Sequence, residues 1–320
     1  MQRGRTDRAA FKVAPFPSLG IRNPAIGKRT ALSYDHRQMR RIANQAQNPF
    51  CSRPAATLNQ PQDATHRVDF LGVPIDLLTM DQTVAIAVDA MRTRRPVTHV
   101  ALNVAKFVKM RSDAELNRDV VTADIIGLDG MGIVLALRLF GVRRAERVPG
   151  VDLMFALMAA CAERGLRPFI LGARREALDQ AKTIAEERWP SLSFAGTRDG
   201  YFTAEQEPGV VEEIRASGAD CLFVAMPTPR KERFLQRHRK DLDVPFVMGV
   251  GGSVDVLAGV VSRAPQWMQR AGLEWFHRLL QEPRKMAWRY VSTNTAFLGV
   301  LLTGIARQLR GQPVIRTVSK

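Results

Sequence analysis

The 320-residue sequence has little of what marks several common protein classes. Its three cysteines, Cys51, Cys161 and Cys221, are too far apart for a metal knuckle or a redox motif. No apolar run reaches the roughly 18 residues that span a bilayer, since the nearest, Ala296–Ala306, has 11. No apolar stretch typical of a secretory signal follows the basic N-terminus. These absences favour a reducing cytoplasm and predict that Cys161 and Cys221 are buried free thiols.

Several catalytic motifs are also missing. The sequence has no Gly-x-Ser-x-Gly nucleophile turn, which argues against a serine hydrolase. It has no full Gly-x-Gly-x-x-Gly followed by an acid, which argues against the alternative of an NAD enzyme. Asp241 and Asp243 have the D-x-D spacing of a metal–nucleotide site, but they precede a predicted strand, whereas ligands of parallel sheets bind after strands. We therefore predict no metal site and no cofactor.

The net charge of +16 is concentrated at the two ends of the chain. Residues 1–66 and residues 263–320 each carry a net +8, and the residues between them are neutral. A neutral centre argues against a protein that coats nucleic acid with its whole surface. The basic ends predict contact with something anionic, namely a membrane, a phosphate-bearing substrate or nucleic acid.

The composition divides the chain into three parts. Residues 1–66 hold six of the 18 prolines and little periodicity, so we predict a mostly disordered extension. Residues 67–262 are predicted to form the globular core. Residues 263–320 are predicted to form a basic and aromatic C-terminal appendage, whose removal should leave the core folded.

Short apolar runs alternate with amphipathic segments through the core. Strands are predicted at Val97–Asn103, Asp124–Leu128, Pro168–Leu171, Leu192–Gly196, Cys221–Met226 and Phe246–Val250. Helices are predicted at Met80–Arg92, Ala105–Ser112, Met131–Leu139, Leu153–Arg164, Ala177–Trp189, Gly209–Ala216 and Lys231–Lys240. This order predicts an α/β fold with a Rossmann-like parallel sheet and helices on both faces. Residues that follow the strands should carry the function.

Two of these strand ends carry polar side chains. Asn103 ends the first predicted strand, and Asp129 follows the second within Asp-Gly-Met-Gly. Asp129 is a candidate general base, because a carboxylate between a strand end and a glycine turn is accessible to substrate. The alternative is that Asp129 is a turn or N-cap residue.

Other loops could bind phosphate. Arg147 is a candidate phosphate ligand and Asp152 a predicted helix N-cap. Gly172 and the Gly-rich turn with Gly251, Gly252 and Asp255 could let the backbone approach a nucleotide, although such glycines also occur for packing reasons.

The segment after Arg263 interleaves aromatic and basic side chains. Three of the four tryptophans lie between Trp267 and Trp288, and the apolar run Ala296–Ala306 follows. This pattern suits a membrane interface, a phosphate-bearing ligand or single-stranded nucleic acid. A helix that merely docks on the core remains an alternative. The run that follows favours a membrane over nucleic acid.

Taken together, these motifs resemble the WecG/TagA/CpsF glycosyltransferases, family 26, over about Val68–Tyr290. The matching motifs, in chain order, are D-G-M-G at 129–132, R-V-P-G-V-D at 147–152, G-Y-F at 200–202, P-R-K-E at 229–232, G-V-G-G-S-V-D at 249–255 and the Arg/Trp-rich run at 263–290. The chain departs from the pattern in two places that bear on the donor sugar. It has Ala101 where members often have Thr, and Lys231 where they usually have Gln.

The resemblance implies a metal-independent, inverting transfer of a sugar from a UDP-sugar to a polyprenyl-diphosphate-linked sugar in cell-surface or exopolysaccharide synthesis. It implies Asp129 as the general base. The implied donor-binding residues are Asn103, Arg147, Gly150, Asp152, Gly172, Lys231, Glu232, Gly251, Gly252 and Asp255. The implied acceptor or membrane residues are Arg263, Trp275, Arg278, Arg284, Lys285 and Arg289.

The implied location is peripheral, on the inner face of the cytoplasmic membrane, with no nucleic acid bound. The competing function is a non-enzymatic nucleic-acid or membrane binder that uses the basic ends. The sequence leaves a homo-oligomer open.

Overall fold

The protein combines strands and helices in regular alternation. The computed structural model describes residues 67–318, so the predicted extension and Cys51 lie outside the described residues. The strands are β1 (Arg67–Phe70), β2 (Val73–Asp76), β3 (Val97–Leu102), β4 (Ile125–Leu128), β5 (Pro168–Gly172), β6 (Gly196–Arg198), β7 (Cys221–Ala225), β8 (Phe246–Gly249) and β9 (Ile315–Thr317). The helices are α1 (Met80–Thr93), α2 (Val104–Ser112), α3 (Ala114–Val121), α4 (Met131–Leu139), α5 (Gly150–Arg164), α6 (Arg175–Arg188), α7 (Glu207–Ala216), α8 (Arg230–His238), α9 (Ser253–Leu257), α10 (Gln266–Arg270), α11 (Glu274–Gln281) and α12 (Pro283–Leu309).

A six-stranded parallel sheet forms the centre of the fold. Its strand order is β4-β3-β8-β7-β5-β6, and each neighbouring pair is parallel. A second, antiparallel sheet has the order β2-β1-β9. The predicted fold class is confirmed, and the carboxyl ends of the parallel strands share one edge of the sheet.

One strand prediction is wrong. Leu192–Gly196 was expected to be a strand, but β6 begins at Gly196 and pairs with β5 through three residues. Leu192 instead packs into the apolar core as part of a turn closed by its N–H on the Trp189 carbonyl. The short elements α3, β1, β2 and β9 were not predicted, because runs of three to eight residues carry little periodicity.

The parallel sheet separates two apolar layers. Side chains alternate along β3, so Val97 joins one layer while Val100 and Leu102 join the other. The first layer packs α1, α5, α6 and α9 against the sheet and buries both Cys161 and Cys221 as free thiols, as predicted. Burial raises the pKa of Cys161 to about 12, so this thiol is unreactive. The opposite layer packs α2, α3, α4, α7, α8 and α12.

The C-terminal segment packs against the core and adds a strand to the antiparallel sheet. Phe297 on α12 is buried against Phe107, and Val314 joins the same apolar cluster. Beyond it, β9 pairs with β1. Deleting residues 263–320 would uncover this cluster, and a buried phenylalanine alone contributes about 1.5–3 kcal/mol. We therefore expect removal of residues 263–320 to destabilise the core.

Within residues 67–318, no helix combines the length and the apolar character needed to cross a bilayer.

Candidate functional site

The predicted base, Asp129, follows β4 and is fixed at both its backbone and its side chain. Its carbonyl accepts a hydrogen bond from Arg147 Nε at 2.8 Å, and its Oδ1 accepts one from the Gly150 N–H at 2.9 Å. Gly150 begins α5, so the carboxylate lies at the positive end of that helix. Among the described residues, Oδ2 accepts no hydrogen bond, and Asp129 is partly exposed. Gly130, rather than Asp129, is the N-cap residue of α4.

The two glycines of Asp-Gly-Met-Gly permit close packing of neighbouring loops. A β-carbon on Gly130 would lie 3.0 Å from Asn103 Cβ, and one on Gly132 would lie 2.6 Å from a methyl carbon of Val104. Asn103 itself is the N-cap of α2, where its Oδ1 accepts from the Lys106 N–H at 3.0 Å. The motif therefore brings the ends of β3 and β4 together.

Two lysines and one glutamate form a buried charged cluster beside Asp129. Glu232 Oε1 lies 2.9 Å from Lys106 Nζ and 2.8 Å from Lys231 Nζ, and all three side chains are less than 10% exposed. Burial and repulsion from Lys106 lower the pKa of Lys231 to about 8, against the attraction of Glu232 and Asp129. Although burial opposes it, the two lysines lower the pKa of Glu232 to about 2.

A second charged network links the site to the C-terminal segment. Arg147 pairs with Glu274, Glu274 also pairs with Arg263 at 3.3 Å, and Arg263 makes a bidentate pair with Asp152 at 2.5 and 2.7 Å. The predicted N-cap role of Asp152 is wrong, because α5 begins two residues earlier with Pro149 as its cap. Asp152 lies in the first turn, and its carboxylate anchors Arg263 instead.

The expected nucleotide-binding loops lie at the ends of β5 and β8. Gly172 has a φ of +120°, and a β-carbon there would lie 2.5 Å from the Ala225 backbone, so packing alone requires this glycine. At Gly251 a β-carbon would meet nothing within 4 Å, and Gly252 is exposed, so this turn presents open backbone. Asp255 is half-buried nearby, and burial raises its pKa despite the charge of Arg174.

A neighbouring pair at the same edge was not assigned from the sequence. Arg174 lies at the start of α6, and the neighbouring Tyr201 hydroxyl raises the pKa of its guanidinium. Tyr201 is 72% exposed. Arg230 of the P-R-K-E motif donates to the carbonyls of Gly200 and Phe202 at 2.8 and 2.7 Å, which fixes the loop that presents Tyr201. The sequence signal for this loop was the occurrence of the G-Y-F motif at 200–202 and the P-R-K-E motif at 229–232 in the order that the family resemblance implies.

The remaining acceptor candidates lie on the surface of the C-terminal segment. Arg278, Arg284 and Arg289 are exposed, and Trp275 is 44% exposed. The side chain of Lys285 lies outside the described part of the chain. Among the described contacts, none joins these three arginines to Asp129, whereas Arg263 is drawn into the network that reaches it.

No cluster of three His, Cys, Asp or Glu side chains in residues 67–318 could hold a metal ion. Asp241 and Asp243 are exposed in the loop that enters β8, at the sheet edge opposite Asp129.

Sequence reasoning missed Lys106 and Glu274, which complete the two charged networks. Lys106 lies in a helix whose pattern marks it only as polar, and Glu274 lies 127 residues from its partner Arg147. His99 was also missed. It is buried in β3, and burial lowers its pKa to about 4, so the ring is neutral at pH 7.

Comparison with known families supports the earlier resemblance. Residues 68–311 match the family model described as "Glycosyl transferase WecG/TagA/CpsF family". The match covers more than half of the chain and includes both charged networks and the loops around Asp129. The chain therefore belongs to the WecG/TagA/CpsF family and is a glycosyltransferase of cell-surface polymer synthesis.

Proposed function

We propose that this glycosyltransferase moves a sugar from a UDP-sugar to a polyprenyl-diphosphate-linked sugar, with inversion and without a metal ion. The observation that carries the proposal is the Asp129 carboxylate, whose Oδ1 is fixed by the Gly150 N–H while its Oδ2 accepts no hydrogen bond from the described residues. A carboxylate held in this way can accept the proton of an attacking hydroxyl.

The proposed reaction is a single displacement. The acceptor hydroxyl attacks the anomeric carbon from the face opposite UDP while its proton passes to Asp129. The bond between the anomeric carbon and the UDP oxygen breaks, and UDP leaves with the electron pair. Attack from the opposite face inverts the anomeric configuration.

The cationic groups near Asp129 support the departure of a diphosphate. Arg147 and Lys231 place positive charge beside the carboxylate, and such charge stabilises a leaving anion in the transition state. The open backbone at Gly251 and the exposed ring of Tyr201 suit the nucleotide portion of a donor. The donor sugar would be N-acetylmannosamine-like, a hexose or a uronic acid.

The outer face of α12 supports a membrane-bound acceptor. Its exposed apolar side chains are Trp288, Val291, Leu298, Leu302, Ile305 and Leu309, spaced three or four residues apart except for a gap of seven between Val291 and Leu298. The helix contains no acidic residue, and Arg284, Arg289 and Arg307 lie on it. An apolar stripe flanked by arginines suits a helix that lies in the interface of an anionic leaflet. We place this face on the inner surface of the cytoplasmic membrane.

The reaction is tested by incubating the purified full chain with a panel of UDP-sugars and a short-chain lipid-diphosphate acceptor in EDTA. We expect acceptor-dependent release of UDP from one donor. The absence of release from every donor, with protein shown to be folded, would contradict the proposal. Salt-sensitive binding to single-stranded oligonucleotide without binding to anionic vesicles would then favour the nucleic-acid alternative.

Membrane binding is tested by removing two arginines from α12. Since each basic residue near an anionic surface contributes about 1 kcal/mol, Arg284→Gln with Arg289→Gln should weaken binding by about 30-fold. Sedimentation with anionic vesicles measures the change, and neutral vesicles should show little difference. Arg92→Gln with Arg175→Gln, on α1 and α6, removes the same charge from the opposite layer as a control. An equal loss of binding to anionic vesicles in the α12 double variant and in the control double variant would contradict a specific role for α12.

A further inference from the structure

The guanidinium of Arg147 is held by three partners, and two of them come from the C-terminal segment. Its Nε donates to the Asp129 carbonyl at 2.8 Å, its Nη1 donates to the Gln269 carbonyl at 3.5 Å, and its Nη2 pairs with Glu274. The orientation of the group that holds the Asp129 backbone therefore depends on residues more than 100 positions away.

Glu274 is the charged partner on which this arrangement centres. Its carboxylate is shared by Arg147 and Arg263, and the two arginines together lower its pKa although burial opposes them. Asp152 supplies the second negative charge, so two arginines are balanced by two acids. The side chains are 14–21% exposed, which leaves these pairs little screened by water.

The segment has other contacts that hold it against the core. Ala264 and Met268 are buried, and Gly272 packs so closely on Met131 that an added β-carbon would lie 2.8 Å from its side chain. Gln281 also donates to the Ser262 hydroxyl at 2.7 Å. Loss of the Glu274 charge should therefore leave the segment in place while freeing the guanidinium of Arg147.

We infer that Glu274 is a positioning residue for the transfer step, because its charge orients Arg147 and thereby holds Asp129 in the geometry for proton transfer. The inference rests on the proposed role of Asp129 as the base. It gives the C-terminal segment a direct part in catalysis that is separate from its contact with the membrane.

The test compares Glu274→Gln with the wild type in the full chain. Because a small displacement of a catalytic group can cost about 100-fold in rate, we expect kcat to fall by about 10- to 100-fold. We expect the Kd for UDP to change much less than kcat, since Arg147 keeps the positive charge that it offers to the diphosphate while Asp129 loses its fixed geometry. Glu187→Gln, an exposed acid on α6, is the matched control.

Two measurements that need no turnover separate positioning from docking. Hydrogen exchange across residues 266–281 should be unchanged in Glu274→Gln, whereas the Arg147 Nε–H signal should exchange faster, with Arg147→Lys used to assign it. An unchanged kcat, an unchanged Arg147 signal or an undocked segment would each overturn the inference. A wild-type chain without transferase activity would instead contradict the proposed function, and the Arg147 signal would still report whether Glu274 orients that side chain.

Discussion

The Asp129→Asn variant is expected to turn over about 10²- to 10⁴-fold more slowly than the wild type, which is the usual contribution of a general base. The asparagine Oδ1 can still accept the hydrogen bond that the Gly150 N–H donates to Asp129. The amide nitrogen that replaces Oδ2 cannot accept the acceptor's proton. Initial rates of UDP release at saturating donor and acceptor measure the effect.

The same variant should retain its fold and its affinity for UDP. Asp129 is held through its backbone by Arg147 and through its Oδ1 by Gly150, and neither contact needs the negative charge. Calorimetric titration with UDP measures the affinity, and the midpoint temperature of thermal unfolding reports whether the fold is retained. Asp89→Asn, on the exposed face of α1, is the control. Equal turnover in Asp129→Asn and in the wild type would remove Asp129 from the role of base.

The parts of this site that the sequence predicted are local in the chain. Buried strands such as Cys221–Ala225 and Phe246–Gly249 are continuous apolar runs, and the polar residue after such a run lies at the ligand-binding edge of a parallel sheet. Asp129 was found by this rule. The rule fails at β6, where three half-buried residues carry no apolar run to recognise.

The parts that could not be predicted depend on partners that are distant in sequence. From the sequence alone, Arg147 is predicted to be a surface arginine or a phosphate ligand. Its ion pair with Glu274 forms only in the folded chain. The sequence predicts Asp152 as an N-cap because it precedes an apolar helix. That helix begins at Gly150 with Pro149 as its N-cap, so the Asp152 side chain binds Arg263 instead. Likewise, no pattern in the short, polar strand β9 indicates that it pairs with β1.

The Glu232→Gln variant is expected to lose about 3–5 kcal/mol of the free energy of unfolding at pH 7, because it leaves buried lysines without their shared carboxylate. Lys106 keeps its hydrogen bond to the Ala101 carbonyl and Lys231 keeps one to the Thr228 hydroxyl. Lys231 should bear more of the change, because burial and repulsion from Lys106 already lower its pKa to about 8. Urea titration of both proteins measures the loss. A loss below about 1 kcal/mol, the value for exposed pairs, would contradict a dry charged cluster.

A double-mutant cycle shows which lysine is responsible. Lys231→Gln installs the residue that the family motif usually carries and removes the surplus charge. Adding it to Glu232→Gln should recover part of the lost free energy, since one unpaired buried cation disappears. If the double variant loses the sum of the unfolding free energies that the two single variants lose, Lys231 and Glu232 do not interact. The contact between Lys231 Nζ and Glu232 Oε1 at 2.8 Å would then have no energetic role.

The pH dependence of stability provides an independent check on the same cluster. In the folded protein Glu232 has a pKa of about 2 against an ordinary 4.5, so its stabilisation is present above pH 4.5 and is lost as the pH falls towards 2. Lys231 has a pKa of about 8 against an ordinary 10.5, so the unfolded chain binds more protons between these values. The contribution of Lys231 to the free energy of unfolding therefore rises as the pH increases from about 8 to 10.5.

The loss of unfolding free energy in Glu232→Gln, relative to the wild type, should accordingly become smaller between pH 7 and pH 9.5. The reason is that Lys231 can then lose its proton rather than remain as an unpaired buried charge. A deficit that stays constant over this range would assign the destabilisation to Lys106 instead.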